Sequence, residues 1–316
     1  MSASPLRIIA VKSLLWNRLT GVSLVVLASI IGSPPAWTQD VAAKAEKSAE
    51  AKNDVDKYVR ISKTESEKPK ALQTSVVTFI GQTGTKYEGR SVDLVGVVHI
   101  GQLEYYQDLK KRLSIYDVVL YELVAPDGTR ITPEDLKNRR SVLASMQTGM
   151  KDMLNLEYQL EHIDYLAENF THADMSPDEF MKDMESRGDG IWKMMARMMG
   201  AGLATQASSG GDTGMLMAML SEDRPMKMKQ IMARQLADVE SVTAGMDDAS
   251  GENTLIKGRN RKAFEILKKE LDAGKKSVAV FYGAGHLADM AERLENDFQM
   301  KPTTTEWLTA WDLQRN

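Results

Sequence analysis

Two stretches of the sequence put a histidine where a strand gives way to a helix. "VDLVGVVHIGQLEYYQDL" and "SVAVFYGAGHLADMAERL" each read as strand, then G-x-x-H, then helix. Gly96 and Gly283 open the two motifs, and His99 and His286 close them. One G-x-x-H carries little information. Two in the same context, each at the carboxyl end of a strand where sites form in α/β sheets, point to a shared crevice if the strands are neighbours. The glycines (Gly96, Gly283 and Gly285) are read as shaping turns that a Cβ would obstruct. The partial positive charge of a helix N-terminus disfavours imidazolium, and neutral imidazole is the form that binds metal or accepts a proton. The bland alternative is that each histidine only caps its helix.

A third chemical group is Glu122, at the end of the otherwise apolar run "YDVVLYELV". A carboxylate there is costly without a partner, although a strand-end glutamate can also be solvated. The chain has no cysteine and four histidines, so any metal must be held by His, Asp or Glu. Two histidines and one glutamate form a ligand set typical of catalytic zinc and related divalent metals, with water in the open position. His99, Glu122 and His286 are therefore the expected ligands of Mn, Co or Zn. Glu104 and Asp289, one turn into the helix after each histidine, are candidate extra ligands.

The fourth element lies on "NTLIKGRNRKAFEILKKELDAG", an amphipathic helix stopped by Gly274. Its buried arc is set by Ile256, Ala263, Phe264, Ile266, Leu267 and Leu271. At 100° per residue Arg259 and Asn260 fall inside that arc and Arg261 falls outside. A core-facing Arg and Asn need acceptors. Arg259 is placed to orient Glu122 or to stabilise an oxyanion, unless its stem packs and its head reaches solvent. Tyr282 is either a hydrogen-bond donor in the site or packing. His162 and His172 are read as structural or solvated.

Positioning these residues takes a sheet. "TSVVTFIG" and "SVDLVGVV" form a hairpin around a Gly-bearing turn. A helix over Gln102–Ser114 and the apolar strand at Tyr116–Val124 follow, giving a β-α-β unit. The next ~150 residues read as helical, with Met153, Leu156, Leu160, Ile163, Leu166 and Phe170 at three- and four-residue steps. Ser176, Pro177 and Glu179 make a helix start with a capping box, and Pro225 opens another helix. Sixteen of the 20 methionines lie between Met146 and Met232, either an adaptable core or a soft groove for apolar ligands. "ATQASSGGDTG", Ala204 to Gly214, reads as a loop or a mobile lid. A strand at the second motif and an edge strand in "PTTTEWLTAWDL" complete the chain. The expected fold is α/β, bordering α+β: a mixed central sheet with helices packed on it and a Met-rich helical subdomain inserted over 132–250.

The chain has 316 residues, 43% of them apolar, enough for a sizeable core. Its net charge is −4 and its pI about 5.7, with no long basic stripe, so nucleic acid is not an expected partner. Arg7, Lys12 and Arg18, the apolar run Leu19–Gly32 and "SPPAWTQ" have the three parts of an export signal, residues 1–38. That apolar run is shorter than the ~20 residues that span a bilayer. Export to the periplasm or beyond is expected, with membrane association only if the segment stays uncleaved. Residues 39–57, rich in Ala, Lys and Glu, read as a flexible linker, and 58–316 as the folded domain.

Taken in order, "GVVH", "YEL", "RN" and "GAGH" resemble the marks of the TraB/PrgY/GumN family, related to the Tiki proteases and more distantly to erythromycin esterase. The resemblance covers roughly Thr74 to Leu313. Two places depart from it: Val97 and Val98 fill positions where the first motif often has small residues, and Gly258 stands where the family has Glu before Arg-Asn. The resemblance implies an α/β sheet core and metal-dependent hydrolysis of a peptide or amide bond. His99, Glu122 and His286 would hold the metal, a bound water would attack, and Arg259 would stabilise the developing charge. It leaves two alternatives open. One is a non-catalytic module that binds or sequesters a peptide. The other is metal-free hydrolysis of a small amide or ester with His99 as general base.

Overall fold

The computed structural model describes residues 58–126, 154–188, 220–237 and 251–314, with residues 129, 190, 193, 217, 218, 247 and 248 between them. All fall within one compact unit, Lys47–Asn316. The export signal, the linker and the segment Ala204–Gly214 lie outside the described residues, as does much of the stretch 132–250.

A seven-stranded mixed sheet forms the centre, as expected for an α/β fold. Strands β1 (Val59–Lys63), β2 (Pro69–Gly81) and β3 (Ser91–Val97) run antiparallel in turn. From β3 the sheet continues in parallel through β8 (Ser277–Gly283), β5 (Val118–Tyr121) and β7 (Phe170–His172). The final strand, β9 (Met300–Asp312), pairs with β2 along its length and lies at the edge.

Side chains alternate across this sheet with a period of two. Val278, Val280 and Tyr282 of β8 join one core cluster while Ala279 and Phe281 join the other. The first cluster packs under α5 (Arg259–Asp272) and α6 (Leu287–Asn296); the second packs under α1 (Leu103–Leu113) and α4 (Arg224–Ala237). Both faces are covered, which is why β5 is apolar at every position. On α5, Ala263, Phe264, Leu267 and Leu271 are buried, as the helical wheel requires. Burying each large side chain there contributes roughly 1.5–3 kcal/mol.

The helix start at Ser176 is as read. Glu179 N donates to Ser176 Oγ at 3.2 Å and Ser176 N donates to Glu179 Oε2 at 2.8 Å, opening α3 (Pro177–Ser186). Over the described residues 154–170 the reading as one continuous helix fails. Glu157–Tyr158 is a strand, β6, that pairs with β4 (Ile100–Gly101). A single turn, α2 (Gln159–His162), follows, and Phe170–His172 enters the main sheet as β7. The three- and four-residue spacing is real, but two open strand edges outcompete it, because pairing there satisfies backbone groups on both partners. Part of the segment expected to be an inserted helical subdomain is therefore built into the sheet.

Candidate functional site

Each of the four parallel strands carries a polar group just beyond its carboxyl end. Glu122 directly follows β5, His99 and Asp174 stand two residues past β3 and β7, and His286 stands three past β8. β3 and β8 are direct neighbours, with Val97 opposite Gly283, so the two motifs meet despite 187 residues between their histidines. The N-terminus of α5 adds Arg259 and Asn260. A π-helical turn, Thr254–Gly258, precedes it and is started by Asn253, whose Oδ1 accepts from Ile256 N at 2.7 Å. Such turns recur at functional sites.

Arg259 is clamped between two carboxylates. Its Nη2 donates to Glu122 Oε1 at 2.7 Å and to Asp174 Oδ2 at 2.6 Å, and its Nε donates to Asp174 Oδ1 at 3.0 Å. The Asp174 side chain is 0% exposed and the Arg259 side chain 11%, so neither charge can do without the other. Glu122 Oε2 accepts from Gly283 N at 2.7 Å. Burial would raise the Glu122 carboxyl, but the charges of His286, Arg259 and His99, with the Gly283 amide, hold it well below the usual range. Burial opposes the charge on Arg259, and Glu122 and Asp174 outweigh it, raising its value further.

What remains of Arg259 is Nη1. Its two contacts, Leu255 O and His286 Nε2, are both at 3.5 Å, the outer limit of a hydrogen bond. This is the donor with capacity to spare.

His286 is buried against Tyr282, ring edge to face, with centroids 5.3 Å apart. Asn260 Nδ2 donates to His286 O at 3.1 Å and to Asp289 Oδ2 at 2.8 Å, and its Oδ1 lies 2.6 Å from His286 Nδ1. Both partners of Nδ2 can only accept, which fixes the amide orientation. Oδ1 must then accept from Nδ1–H, and a neutral ring is left with a bare Nε2. Burial is the main cause that pulls His286 down to about 4; Arg259 adds to it, while Glu122, Asp174 and Asp289 oppose it. Burial, and not the helix terminus invoked from the sequence, is the leading cause that favours the neutral ring. Nε2 lies 3.6 Å from Glu122 Oε1.

His99 is exposed, and its Nδ1 lies 3.0 Å from Gln159 Oε1. It does not cap a helix: β4 intervenes, and the N-cap of α1 is Gln102. The side chain of His286, at the N-cap of α6, makes no capping bond either.

Several expected residues have other tasks. Gly96 has no left-handed backbone to explain it. A Cβ there would stand 3.1 Å from Leu287 Cδ2 and 3.2 Å from Ser75 O, so the glycine provides room for close packing. Gly283 does the same for the site, since its Cβ would stand 3.1 Å from Glu122 Oε2. Gly285 lies in the 3₁₀ turn Ala284–His286. The Tyr282 hydroxyl donates to Ala173 O, one residue before Asp174. Asp289 is held by Asn260 and by Arg293, whose Nε donates at 2.7 Å, and Glu104 is exposed. His162 pairs with Glu157 at 3.1 Å and stacks on Tyr106; His172 Nε2 lies 2.6 Å from Leu123 O. Both fit the structural reading.

The donor set does not fit a metal shared by His99, Glu122 and His286. Among the described residues, the grouping of three such side chains with ligand atoms within 4.8 Å of one another is Glu157, Glu161 and His162. Both Glu122 oxygens are already engaged, by Arg259 and by Gly283 N.

Sequence reasoning missed Asp174 and Gln159. Asp174 had a signal, an acid two residues past "FTH", but it is legible only once those residues are recognised as a strand. Gln159 had none. No protein-family model, no curated protein and no solved structure matches the chain.

Proposed function

We propose that the chain is an exported hydrolase of a peptide or amide bond. The observation that carries this reading is Arg259, held rigid by Glu122 and Asp174 with Nη1 left for a further acceptor. A preorganised donor of this kind stabilises an oxyanion without reorganising during the reaction. His99, exposed and with one ring nitrogen engaged by Gln159, is the general base. Its Nε2 takes a proton from water as the oxygen attacks the substrate carbonyl. The carbonyl oxygen becomes the oxyanion at Arg259 Nη1, and the His99 imidazolium returns the proton to the leaving nitrogen. Neutral His286 lies against the guanidinium at Nη1 and helps to orient it. The charged and apolar N-terminal segment supports export; among the described residues no helix is long and apolar enough to cross a membrane.

The test is hydrolysis of fluorogenic peptide and amide libraries by the purified chain, with and without a chelator. Chelator-resistant turnover that falls at least ~10²-fold in His99→Ala supports the reading. Turnover lost in chelator and restored by Mn, Co or Zn would replace it with a metal-held water. Peptide binding without turnover, unchanged in His99→Ala and His286→Ala, would replace it with a sequestering module.

A further inference from the structure

We infer that Gln159 is a positioning residue that fixes His99 in the tautomer with hydrogen on Nδ1, leaving Nε2 bare for chemistry. The inference rests on the reading of His99 as a base, yet it is measurable without turnover.

β4 begins one residue after His99, and its partner β6 ends one residue before Gln159, with Ile100 opposite Tyr158 and Gly101 opposite Glu157. Gln159 N extends the ladder by donating to His99 O at 3.0 Å. A two-stranded ribbon of four residues thus carries Gln159 across 60 positions of sequence to grip His99 by backbone and side chain.

The side chain is buried and engaged at both ends. Oε1 faces His99 Nδ1 at 3.0 Å, and Nε2 donates to the Tyr165 hydroxyl at 2.8 Å. With the amide nitrogen donating to the Tyr165 hydroxyl, Oε1 is left to accept from His99 Nδ1–H. Asn260 makes the same bond to His286 Nδ1, so both histidines present Nε2.

The test is long-range proton–nitrogen correlation NMR on the full chain labelled with nitrogen-15 histidine. Four histidines give four ring patterns, and His99→Ala identifies the one of interest. Wild type is expected to show protonated Nδ1 and bare Nε2 at His99. Gln159→Leu should lose the single tautomer, and Gln159→Glu, whose carboxylate can only accept, should keep it. Hydrogen on Nε2 in wild type, or an unchanged tautomer in Gln159→Leu, overturns the inference. If Gln159→Leu does not fold, the wild-type and Gln159→Glu spectra still decide. On a hydrolysed substrate, Gln159→Leu should lower kcat by up to roughly 10²-fold, the scale on which misplacing a reacting group is felt. KM should be unchanged and Gln159→Glu should recover the rate. A chain that hydrolyses nothing yet shows the Nδ1–H tautomer fails the proposed function and not this inference.

Discussion

Glu122, just past the end of β5, and Gly283, the last residue of β8, stand at the ends of adjacent parallel strands, and the carboxylate of one sits on the backbone amide of the other at 2.7 Å. The bond forms because Gly283 has no Cβ, which would stand 3.1 Å from the same oxygen. Gly283→Ala should therefore displace the carboxylate by a few tenths of an ångström and loosen its hold on Arg259. The backbone there, φ −50° and ψ 133°, is open to alanine, so the fold should survive. Turnover should fall roughly tenfold, since small misplacements at a site are costly. Unchanged kinetics alongside unchanged melting would show that the glycine is only packing.

Arg259→Met removes the one cation shared by Glu122 and Asp174. An uncompensated buried charge costs about 3–5 kcal/mol, so the urea midpoint should drop sharply. Arg259→Met combined with Asp174→Leu should recover much of that loss, because the fully buried carboxylate goes as well. A double variant no more stable than the single one would contradict the pairing.

Acid should act on His286 before it acts on the carboxylates. Its ordinary value of 6.5 is lowered to about 4 in the folded chain, first by burial. Between those values the unfolded chain holds a proton that the folded one does not. Stability therefore falls as pH falls through that window, and this contribution stops growing below about pH 4. Glu122, also depressed, adds its own loss only below its ordinary 4.5. Urea midpoints from pH 7 to 4 should decline for wild type and stay flatter for His286→Gln. Parallel curves would place the acid sensitivity elsewhere.

Asn260→Leu leaves the buried His286 Nδ1–H without its acceptor, while Asp289 keeps Arg293. A buried group left without a partner costs about 1–3 kcal/mol. Chemical denaturation should show a loss of that size. Long-range NMR of the labelled ring should show His286 no longer confined to one tautomer. A loss below the lower figure would mean that water replaces the amide.

The sequence made legible what short-range pattern controls. The alternation of β2 and β3, the wheel of α5 with Arg259 and Asn260 turned inward, and the capping box at Ser176 all depend on neighbours within one or two turns. Residues 157–172 did not yield, because Leu156, Leu160 and Ile163 keep helical spacing while their backbone is claimed by strand edges from elsewhere in the chain. Asp174 and Gln159 were hidden for the same reason. The glycines of the motifs were correctly singled out, but their purpose, space for Leu287 and for Glu122, is a property of the packed sheet and not of the turn.

β8 lies between β3 and β5, although it is made more than 150 residues after either. During synthesis those two earlier strands must wait with a gap between them that only Ser277–Gly283 fills. Closing the gap demands contacts of large sequence separation, a slow kind of step, and meanwhile both facing strand edges stay open to wrong partners. The same insertion brings His286 beside Glu122. Completing the fold and assembling the site are thus one event, and a chain that stalls before β8 docks has neither.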